Sequence, residues 1–338
     1  MPILPLNHAW FFVTDRCNLR CGYCFFKHKT GRSVMTEKTF RAAMDFTGTF
    51  KRPEFIFSGG EPLLVWPKVR GWIRKIRMAY PKDYISVQSN VTLLDQRKSI
   101  FLKENDVNVE VGIDGDEKTM CTNRPGAGED YYRGVCRAIG LLTTSGGRST
   151  ATMTVYPQGA GQLLSNLKHL DGLGARRIEI HPAFMEAWNI SAAKKFLQGY
   201  RQASVYALKE NKRGLIGRGY SEVPRGAWDM VVLPDGKVLP NWTFLSFPEA
   251  VRKDFYVMDL SGGTVRMLPA ADGYFSALQK FIVSMGKKGA TYRQISNFNA
   301  GLAIRKADVQ PMERFLVYAG LCDDVERIDQ EILRKVLC

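Results

Sequence analysis

The sequence predicts an α/β fold, a partial (β/α)6 TIM-like barrel followed by a small C-terminal α+β extension. In the first two-thirds of the chain, short runs of β-branched and aromatic residues alternate with longer amphipathic segments. Six such units fit within roughly 200 residues, which is too few for a closed eight-unit barrel. After Lys212 the alternation stops and a stretch rich in glycine and charge begins.

The predicted elements follow one another in chain order. Strands are expected at residues 9–14, 54–58, 84–88, 107–113, 150–155 and 176–181. Helices are expected between and after them, near residues 36–47, 66–79, 94–104, 130–144, 161–172 and 191–210. Ligands of such parallel sheets bind at the C-terminal ends of the strands, so functional residues are expected in the loops that follow them.

A domain boundary is expected near residue 212, with the barrel in residues 1–212 and the extension in 213–338. Within the extension, MVVLPDGKVLPNW predicts a hairpin at 228–242, because Asp-Gly favours a tight turn. Apolar residues then recur at helical spacing, which predicts a helical tail over 270–338 that packs on the rest of the chain.

Composition narrows the functional class. Of 338 residues, 45% are hydrophobic and 24% charged, which is ordinary for a globular protein and suggests neither a disordered chain nor a membrane protein. The N-terminus MPILPLNHAWFFV has no basic leader or cleavage site, so the cytoplasm is the expected compartment. The net charge of +15 is spread along the chain, which favours a solvated basic surface over a nucleic-acid site and leaves acidic substrates open.

Three of the seven cysteines stand close together. Cys17, Cys21 and Cys24 have the spacing CxxxCxxC, directly after the first predicted strand. Thiolates are suitable ligands for iron–sulfur clusters, and three ligands for four irons leave one iron open to a substrate or cofactor. The competing interpretation is a zinc site with His28 as the fourth ligand. The remaining four cysteines are scattered and are expected to be free thiols.

A second motif, FSGGEPLL at 57–64, follows the second predicted strand. Gly59 and Gly60 allow the main chain to approach a ligand, and Glu61 can orient an ammonium group. Together with the thiol loop, this motif resembles the radical S-adenosylmethionine (radical SAM) superfamily. The resemblance implies one [4Fe-4S] cluster on the three cysteines, with S-adenosylmethionine bound to the open iron and its amino group received by the GGEP backbone.

Two further stretches extend the resemblance over residues 9–182. They are VQSNVTLLD at 87–95 and VGIDGDEKTMCTNRPGAG at 111–128. Arg124 would pair with the cofactor carboxylate, which the guanidinium fork binds in two places. The simpler alternative makes Asn90 a turn cap and Arg124 a surface charge. Beside the GGEP segment, the resemblance implies cofactor contacts for Tyr23, Ser89, Asn90, Asp114 and Arg124.

The IDG…R element and LPDGKVLP at 233–240 resemble the subfamily of sulfatase maturases and peptide maturases, which have a cysteine-rich SPASM/twitch-type C-terminal domain. This sequence departs from that pattern, because Asn241 follows VLP and only Cys322 and Cys338 come later. Two isolated thiols cannot bind auxiliary clusters. The expectation is therefore a degenerate SPASM/twitch-like hairpin without one, although a plain Asp-Gly turn also explains these residues.

The resemblance implies reductive cleavage of S-adenosylmethionine to a 5'-deoxyadenosyl radical, which abstracts hydrogen from a peptide or protein side chain. Cross-linking, epimerisation and oxidation all remain open as outcomes. Cys121 and Cys322 are candidate hydrogen-atom donors for epimerisation, and ordinary structural thiols are the alternative. The implied partners are the peptide substrate, a separate recognition protein, and an electron donor such as flavodoxin or ferredoxin.

Two other functions stay open at this point. The first is a viperin-like radical SAM enzyme that acts on a nucleotide or another small molecule, prompted by CGYCFFKHKT and VQSN. The second is a zinc-stabilised nucleic-acid-binding protein, in which His28 completes the metal site and the basic surface binds the polyanion. The GGEP motif favours the enzyme.

Overall fold

The structure is a computed structural model. It describes residues 6–48, 53–125, 128–184, 186–212, 214–217, 228–284, 298–300, 302–303, 320–321, 324–325, 327–328 and 331. Most of the predicted helical tail, with Cys322, lies outside these residues. None of the helices in these ranges combines the length and apolar character needed to cross a bilayer.

Eleven strands of the described chain form one sheet in the order β11-β10-β9-β8-β1-β2-β3-β4-β5-β6-β7. All neighbours from β8 through β7 pair in parallel, whereas β9, β10 and β11 continue the sheet antiparallel beyond β8. The strands are β1 Leu6–Phe12, β2 Glu54–Ser58, β3 Ile85–Ser89, β4 Val107–Gly112, β5 Arg148–Val155, β6 Ile178–Pro182, β7 Ile216–Gly217, β8 Trp228–Val232, β9 Lys237–Leu239, β10 Met258–Asp259 and β11 Arg266–Met267.

Helices connect the parallel strands β1 to β7. They are α1 Glu37–Thr47, α2 Trp66–Ala79, α3 Gln96–Glu104, α4 Glu117–Asn123, α5 Gly128–Thr144, α6 Leu163–Gly172 and α7 Ile190–Lys209. Two further helices, α8 Glu249–Arg252 and α9 Ala270–Ser284, lie between β9 and β10 and after β11. Side chains of Thr36, Asp95, Asp116 and Asn189 accept a hydrogen bond from a free backbone N–H at the starts of α1, α3, α4 and α7. The predicted partial barrel is therefore confirmed as an open parallel sheet with connecting helices.

The side chains of β1 alternate between two environments. Phe11 faces α1, where its ring lies 5.4 Å from that of Phe40, and Phe40 stacks on Trp72 at 4.8 Å. Burying a phenylalanine in this layer contributes about 1.5–3 kcal/mol. On the opposite side of the strand, Trp10 and Phe12 stack on each other, and Trp10 lines a cavity inside the barrel.

Residues after 212 continue the barrel sheet, because β8 pairs with β1 at the register Trp10↔Val231. The pairing of β8 with β9 forms a hairpin, which turns at Gly236 with φ of +88°. A Cβ there would lie 2.6 Å from the Ser261 nitrogen, so the turn requires glycine. The seam with β1 carries a buried contact of 2.8 Å between His8 Nδ1 and Asp229 Oδ1.

Candidate active site

A cavity of about 270 Å³ lies at the C-terminal ends of the parallel strands. The loops after β1, β2 and β3 form one wall, and aromatic residues from both halves of the chain form another. Its lining includes Trp10, Cys17, Cys21, Cys24, Phe25, Gly59, Gly60, Ser89, Asn90, Arg124, Thr154, His181, Phe184 and Trp242. The structure thus brings most of the residues predicted from two separate sequence motifs to one place.

The loop that carries the three thiols is fixed by hydrogen bonds to the rest of the barrel. Within it, the buried Asp15 carboxylate accepts hydrogen bonds from the Thr30 and Ser33 nitrogens, at 3.1 and 2.7 Å. Outside it, the Gly22 nitrogen donates to the Asn123 carbonyl at 3.1 Å, which ties the loop to the end of α4. The thiols are therefore held by a folded loop, as a preformed ligand set requires.

All three thiols are half-buried beside the cavity. Burial raises the pKa of Cys17, and it raises the pKa of Cys21 to about 11. A metal centre binds thiolates, so loading this site must release protons. Lys29 Nζ lies 3.4 Å from Cys24 Sγ and adds positive charge where thiolates would form.

The thiol set fits an iron–sulfur cluster better than a zinc ion. Among the described residues, no three His, Cys, Asp or Glu side chains converge as a single ion requires. A four-iron cluster takes one thiolate per iron, so its ligands stand apart. His28 is exposed, forms a hydrogen bond with the Ser246 backbone and lies outside the cavity lining. His28 is therefore not positioned to serve as a fourth metal ligand.

Gly59 and Gly60 allow the GGEP segment to pack directly on the thiol loop. A Cβ on Gly59, which has φ of +135°, would lie 2.4 Å from the Thr14 carbonyl oxygen, and one on Gly60 would lie 2.0 Å from that of Arg16. The Gly60 nitrogen donates to the Thr14 oxygen at 2.7 Å. Both glycines also line the cavity, so they join the two loops and expose main chain to a ligand.

Glu61 is buried, and its carboxylate lies outside the cavity lining. It accepts hydrogen bonds from the Leu63 nitrogen, the Ser89 hydroxyl and the Asn90 nitrogen at 2.8–2.9 Å. Burial raises the pKa of Glu61 to about 6, although these three donors oppose the rise. The structure therefore uses Glu61 to fasten the GGEP segment to the end of β3. An ammonium group in the cavity would meet the backbone instead.

Asn90, whose backbone nitrogen donates to Glu61, also lines the cavity. Its side-chain nitrogen donates to Asn18 Oδ1 at 2.8 Å, and its oxygen accepts from the Thr92 nitrogen at 3.1 Å. Asn90 thus caps the turn after β3, as the simpler sequence interpretation expected, while it also lines the cavity.

Asp114 and Arg124 bind each other in the interior. Arg124 Nε and Nη2 donate to the two Asp114 oxygens at 3.2 and 3.1 Å, and Nη1 donates to the Tyr131 hydroxyl at 3.1 Å. The Tyr23 hydroxyl, whose pKa is raised by burial, donates to Asp114 as well. Arg124 is therefore not a surface charge. It still lines the cavity, and three of its five N–H donors are engaged here.

The structure does not bring Cys121 to the cavity. Cys121 is exposed on α4 and is absent from the cavity lining, so the geometry gives no support to a hydrogen-donor role. Cys322, the other candidate donor, lies outside the described residues.

Sequence reasoning missed the polar floor of the cavity. Gln88 Nε2 donates to Glu110 Oε2 at 2.7 Å, and its oxygen accepts from the Ser58 hydroxyl at 2.9 Å. Burial and the neighbouring Glu179 raise the pKa of Glu110. The sequence did contain a signal for this polar floor, namely the polar residues within the predicted strands 84–88 and 107–113. Inward and outward positions alternate along a barrel strand, so some of these residues had to face the interior.

The missed aromatic wall comes from distant parts of the chain. Phe25 and Phe184 each pack edge-on against Trp242, with ring centroids 5.3 and 5.6 Å apart. Trp242 follows the hairpin, so the C-terminal extension contributes to the site. No local sequence pattern indicates that contact.

A second cavity of about 560 Å³ opens at the N-terminal ends of the strands. Its lining contains no cysteine, and two of its arginines form ion pairs, Arg148 with Asp106 and Arg177 with Glu179. The thiols and glycine loops all lie at the opposite end, where parallel barrels bind their ligands.

Comparison with known proteins agrees with this geometry. Residues 11–163 match the model of the Radical SAM superfamily. The cysteine-type anaerobic sulfatase-maturating enzyme of Clostridium perfringens (strain ATCC 13124) is 30% identical over 151 residues, covering 41% of each chain. The GTP 3',8-cyclase of Desulforamulus reducens is 28% identical over 142 residues, covering 40% of this chain and 43% of that protein. The matched region spans well under two-thirds of either relative.

Similarity in structure extends further along the chain. The solved structure of native anSMEcpe with bound AdoMet and Cp18Cys peptide superposes with a TM-score of 0.67 at 19% identity, covering 96% of this chain and 99% of the other. At that identity the likeness establishes the fold. The thiol loop and the GGEP segment both lie within the matched residues 11–163, so this part of the chain is a radical SAM domain, the type of domain that uses a [4Fe-4S] cluster and S-adenosylmethionine.

Proposed function

We propose that this radical SAM enzyme abstracts a hydrogen atom from a side chain of a peptide or protein substrate. The observation that carries the proposal is the aromatic wall of Phe25, Phe184 and Trp242, which faces the same cavity as the thiols. Such a wall excludes water from a side chain held near the cofactor. The similarity in fold to anSMEcpe, which was solved with a peptide, supports the same substrate class.

The chain's own residues would then have separate tasks. Cys17, Cys21 and Cys24 would hold the cluster, and the exposed backbone of Gly59 and Gly60 would receive the amino group of S-adenosylmethionine. Bound together, these cofactors supply the one-electron chemistry that yields the deoxyadenosyl radical.

Arg124 would meet the cofactor carboxylate with the two N–H donors that Asp114 and Tyr131 leave free. Its orientation would be fixed by Asp114, whose own position depends on Tyr23. Asn90 and Ser89 would lie beside the cofactor's methionine and ribose, at the end of β3. In this arrangement Arg124 would contact the cofactor, and Asp114 would hold Arg124 in position.

A nucleotide substrate is the second candidate, because a GTP 3',8-cyclase is among the relatives. A triphosphate needs cations that are free to bind it. Of the described residues that line the cavity, Lys29 donates to Cys24 Sγ and the Phe26 carbonyl, and His181 lies 3.7 Å from Glu179. Arg124 pairs with Asp114, and its two remaining donors are assigned above to the cofactor carboxylate. The described cavity therefore suits an uncharged or weakly polar side chain better than a triphosphate.

The test is 5'-deoxyadenosine release by the anaerobically reconstituted, dithionite-reduced enzyme, measured with a random peptide pool, with GTP, and without substrate. Peptide-dependent release, together with a mass change in some peptides, is expected. Release that requires GTP would replace the proposal with the nucleotide function. Cys21→Ala should abolish release in every case and controls for chemistry outside the site.

A further inference from the structure

Glu110 on β4 lies between the two cavities of the barrel. Among the described residues, it alone lines both the cavity beside the thiols and the larger cavity at the N-terminal ends of the strands. The strands enclose Glu110, yet it keeps part of its accessible surface, which therefore faces the cavities. A group that enters from the thiol side can reach this carboxylate.

No cation accompanies this carboxylate in the part of the chain that the structure describes. Glu110 forms no ion pair there, and its donor at 2.7 Å is the uncharged Gln88 amide. Burial and the nearby Glu179 raise the pKa of Glu110, although its hydrogen bonds and the charge of His181 oppose the rise. Arg177 and His181 both lie closer to Glu179, at 3.4 and 3.7 Å. An enclosed charge is costly without a partner of opposite sign, so a cationic group on a ligand would be stabilised here.

The rest of the cavity wall is suited to an apolar stem. Phe25, Phe184 and Trp242 form the aromatic wall, which by itself accepts any apolar or weakly polar side chain. The cations Lys29 and Arg124 lie at the other end, close to the cysteines. A substrate side chain would therefore contact aromatic rings along its length and a carboxylate at its tip. Lysine has this composition, with an aliphatic stem below an ammonium head.

We propose that Glu110 selects a peptide side chain that ends in an ammonium group, as that of lysine does. The inference rests on the proposed function, since it names the class of side chain that the enzyme takes from its peptide substrate. The ammonium group donates charge-assisted hydrogen bonds to Glu110, and no covalent bond is made or broken. Gln88 holds the carboxylate in position, and the C–H bonds of the stem stay free to face the cofactor.

The test measures binding separately from turnover. The probes are two capped tripeptides, glycine-lysine-glycine and glycine-norleucine-glycine, which differ only in the ammonium group. Their dissociation constants are measured by equilibrium dialysis against the reconstituted holoenzyme with S-adenosylmethionine and without reductant. Glu110→Gln keeps the size of the side chain and removes its charge. Glu54→Gln is the matched control, because Glu54 lines the N-terminal cavity and not the one beside the thiols.

We expect the wild type to bind the lysine peptide at least about tenfold more tightly than the norleucine peptide. In Glu110→Gln this preference should fall to within about twofold, through weaker binding of the lysine peptide alone. The control variant should keep the wild-type preference, and iron content should be unchanged in both variants. A loss that affects both peptides equally would assign Glu110 a structural role and overturn the proposal, as would an unchanged preference.

Turnover separates this inference from the proposed function. With dithionite, the lysine peptide should raise the release of 5'-deoxyadenosine in the wild type more than the norleucine peptide does. Lysine-selective binding that depends on Glu110, without modification of any peptide, would support the recognition role and count against the proposed function. Modification of peptides in which lysine has no advantage over norleucine would leave the proposed function standing and overturn the role of Glu110.

Discussion

The loops after β1 and β9 lie beside the same cavity, yet only one carries thiols. The loop after β1 presents three half-buried cysteines to it. After β9, at the position where the resemblance to SPASM/twitch-type proteins would imply a cysteine, stands Asn241, which is fully buried. Asn241 donates to Asp229 at 3.0 Å and accepts hydrogen bonds from the Thr243 nitrogen and hydroxyl. The first loop presents its thiols to a ligand, whereas at position 241 the second loop carries an amide whose polar groups are hydrogen-bonded within the protein.

The difference teaches that hairpin geometry alone does not make a metal site. The hairpin is present, and its Asp-Gly turn is closed by Gly236. At position 241, however, the side chain needs no ligand from outside the protein, because Asn241 is already hydrogen-bonded to Asp229 and Thr243. A hydrogen bond from Asn241 instead connects the end of the hairpin to Asp229 on β8, and Asp229 contacts His8 on β1. A buried polar network of this kind contributes to stability only while it is complete.

The largest expected effect is on metal content. Replacing Cys17, Cys21 or Cys24 singly by Ala should reduce bound iron from about four atoms per chain to near zero, because each removes one of three ligands. Iron and acid-labile sulfide are measured after anaerobic reconstitution. Cys121→Ala is the matched control and should keep its iron, since Cys121 is exposed away from the cavity. Iron retained in all three loop variants would refute the assigned ligands.

The next-largest expected effect is on the free energy of unfolding, and it differs between a buried ion pair and an exposed one with the same N–O distance. Arg124–Asp114 and Arg148–Asp106 both measure 3.1 Å, but the first pair is 6% and 0% exposed and the second 52% and 65%. Arg124→Met should cost about 3–5 kcal/mol of unfolding free energy, because it leaves Asp114 buried without its cation. Arg148→Met should cost under about 1 kcal/mol. Urea unfolding of both variants measures the difference, and equal costs would contradict the assigned burial.

Position 241 allows the comparison of loops to be tested directly. Asn241→Ala should cost about 2 kcal/mol, through a lost cap and an Asp229 oxygen that loses its partner. Asn241→Cys should introduce the thiol that the resemblance implies without adding iron, because a single thiol cannot hold a second cluster. Iron content and urea unfolding are measured on the same samples. Extra iron in the cysteine variant would show that only the residue at 241 was missing.

The barrel was predictable because strand and helix periods are local. Strands 54–58 and 150–155 were expected within three residues of β2 and β5. The helix α4 was missed, since EKTMCTN is short and polar. The sequence also could not predict that Asp114 binds Arg124 or that Glu61 binds Ser89. Which polar groups form hydrogen bonds with each other depends on how close the tertiary fold places them.

The smallest expected effect lies at the hairpin edge. Asp259 accepts hydrogen bonds from Lys237 at 2.7 Å and from Ser261, and these contacts hold its pKa well below the ordinary value. A carboxyl whose pKa is lower in the folded state adds stability above its unfolded pKa, and that stability is lost as the pH falls towards the folded value. Lys237→Met should therefore cost under about 1 kcal/mol at neutral pH. The cost should shrink below about pH 4, as unfolding at a series of pH values would measure. A cost independent of pH would assign the effect to packing of the lysine stem and not to the Lys237–Asp259 ion pair.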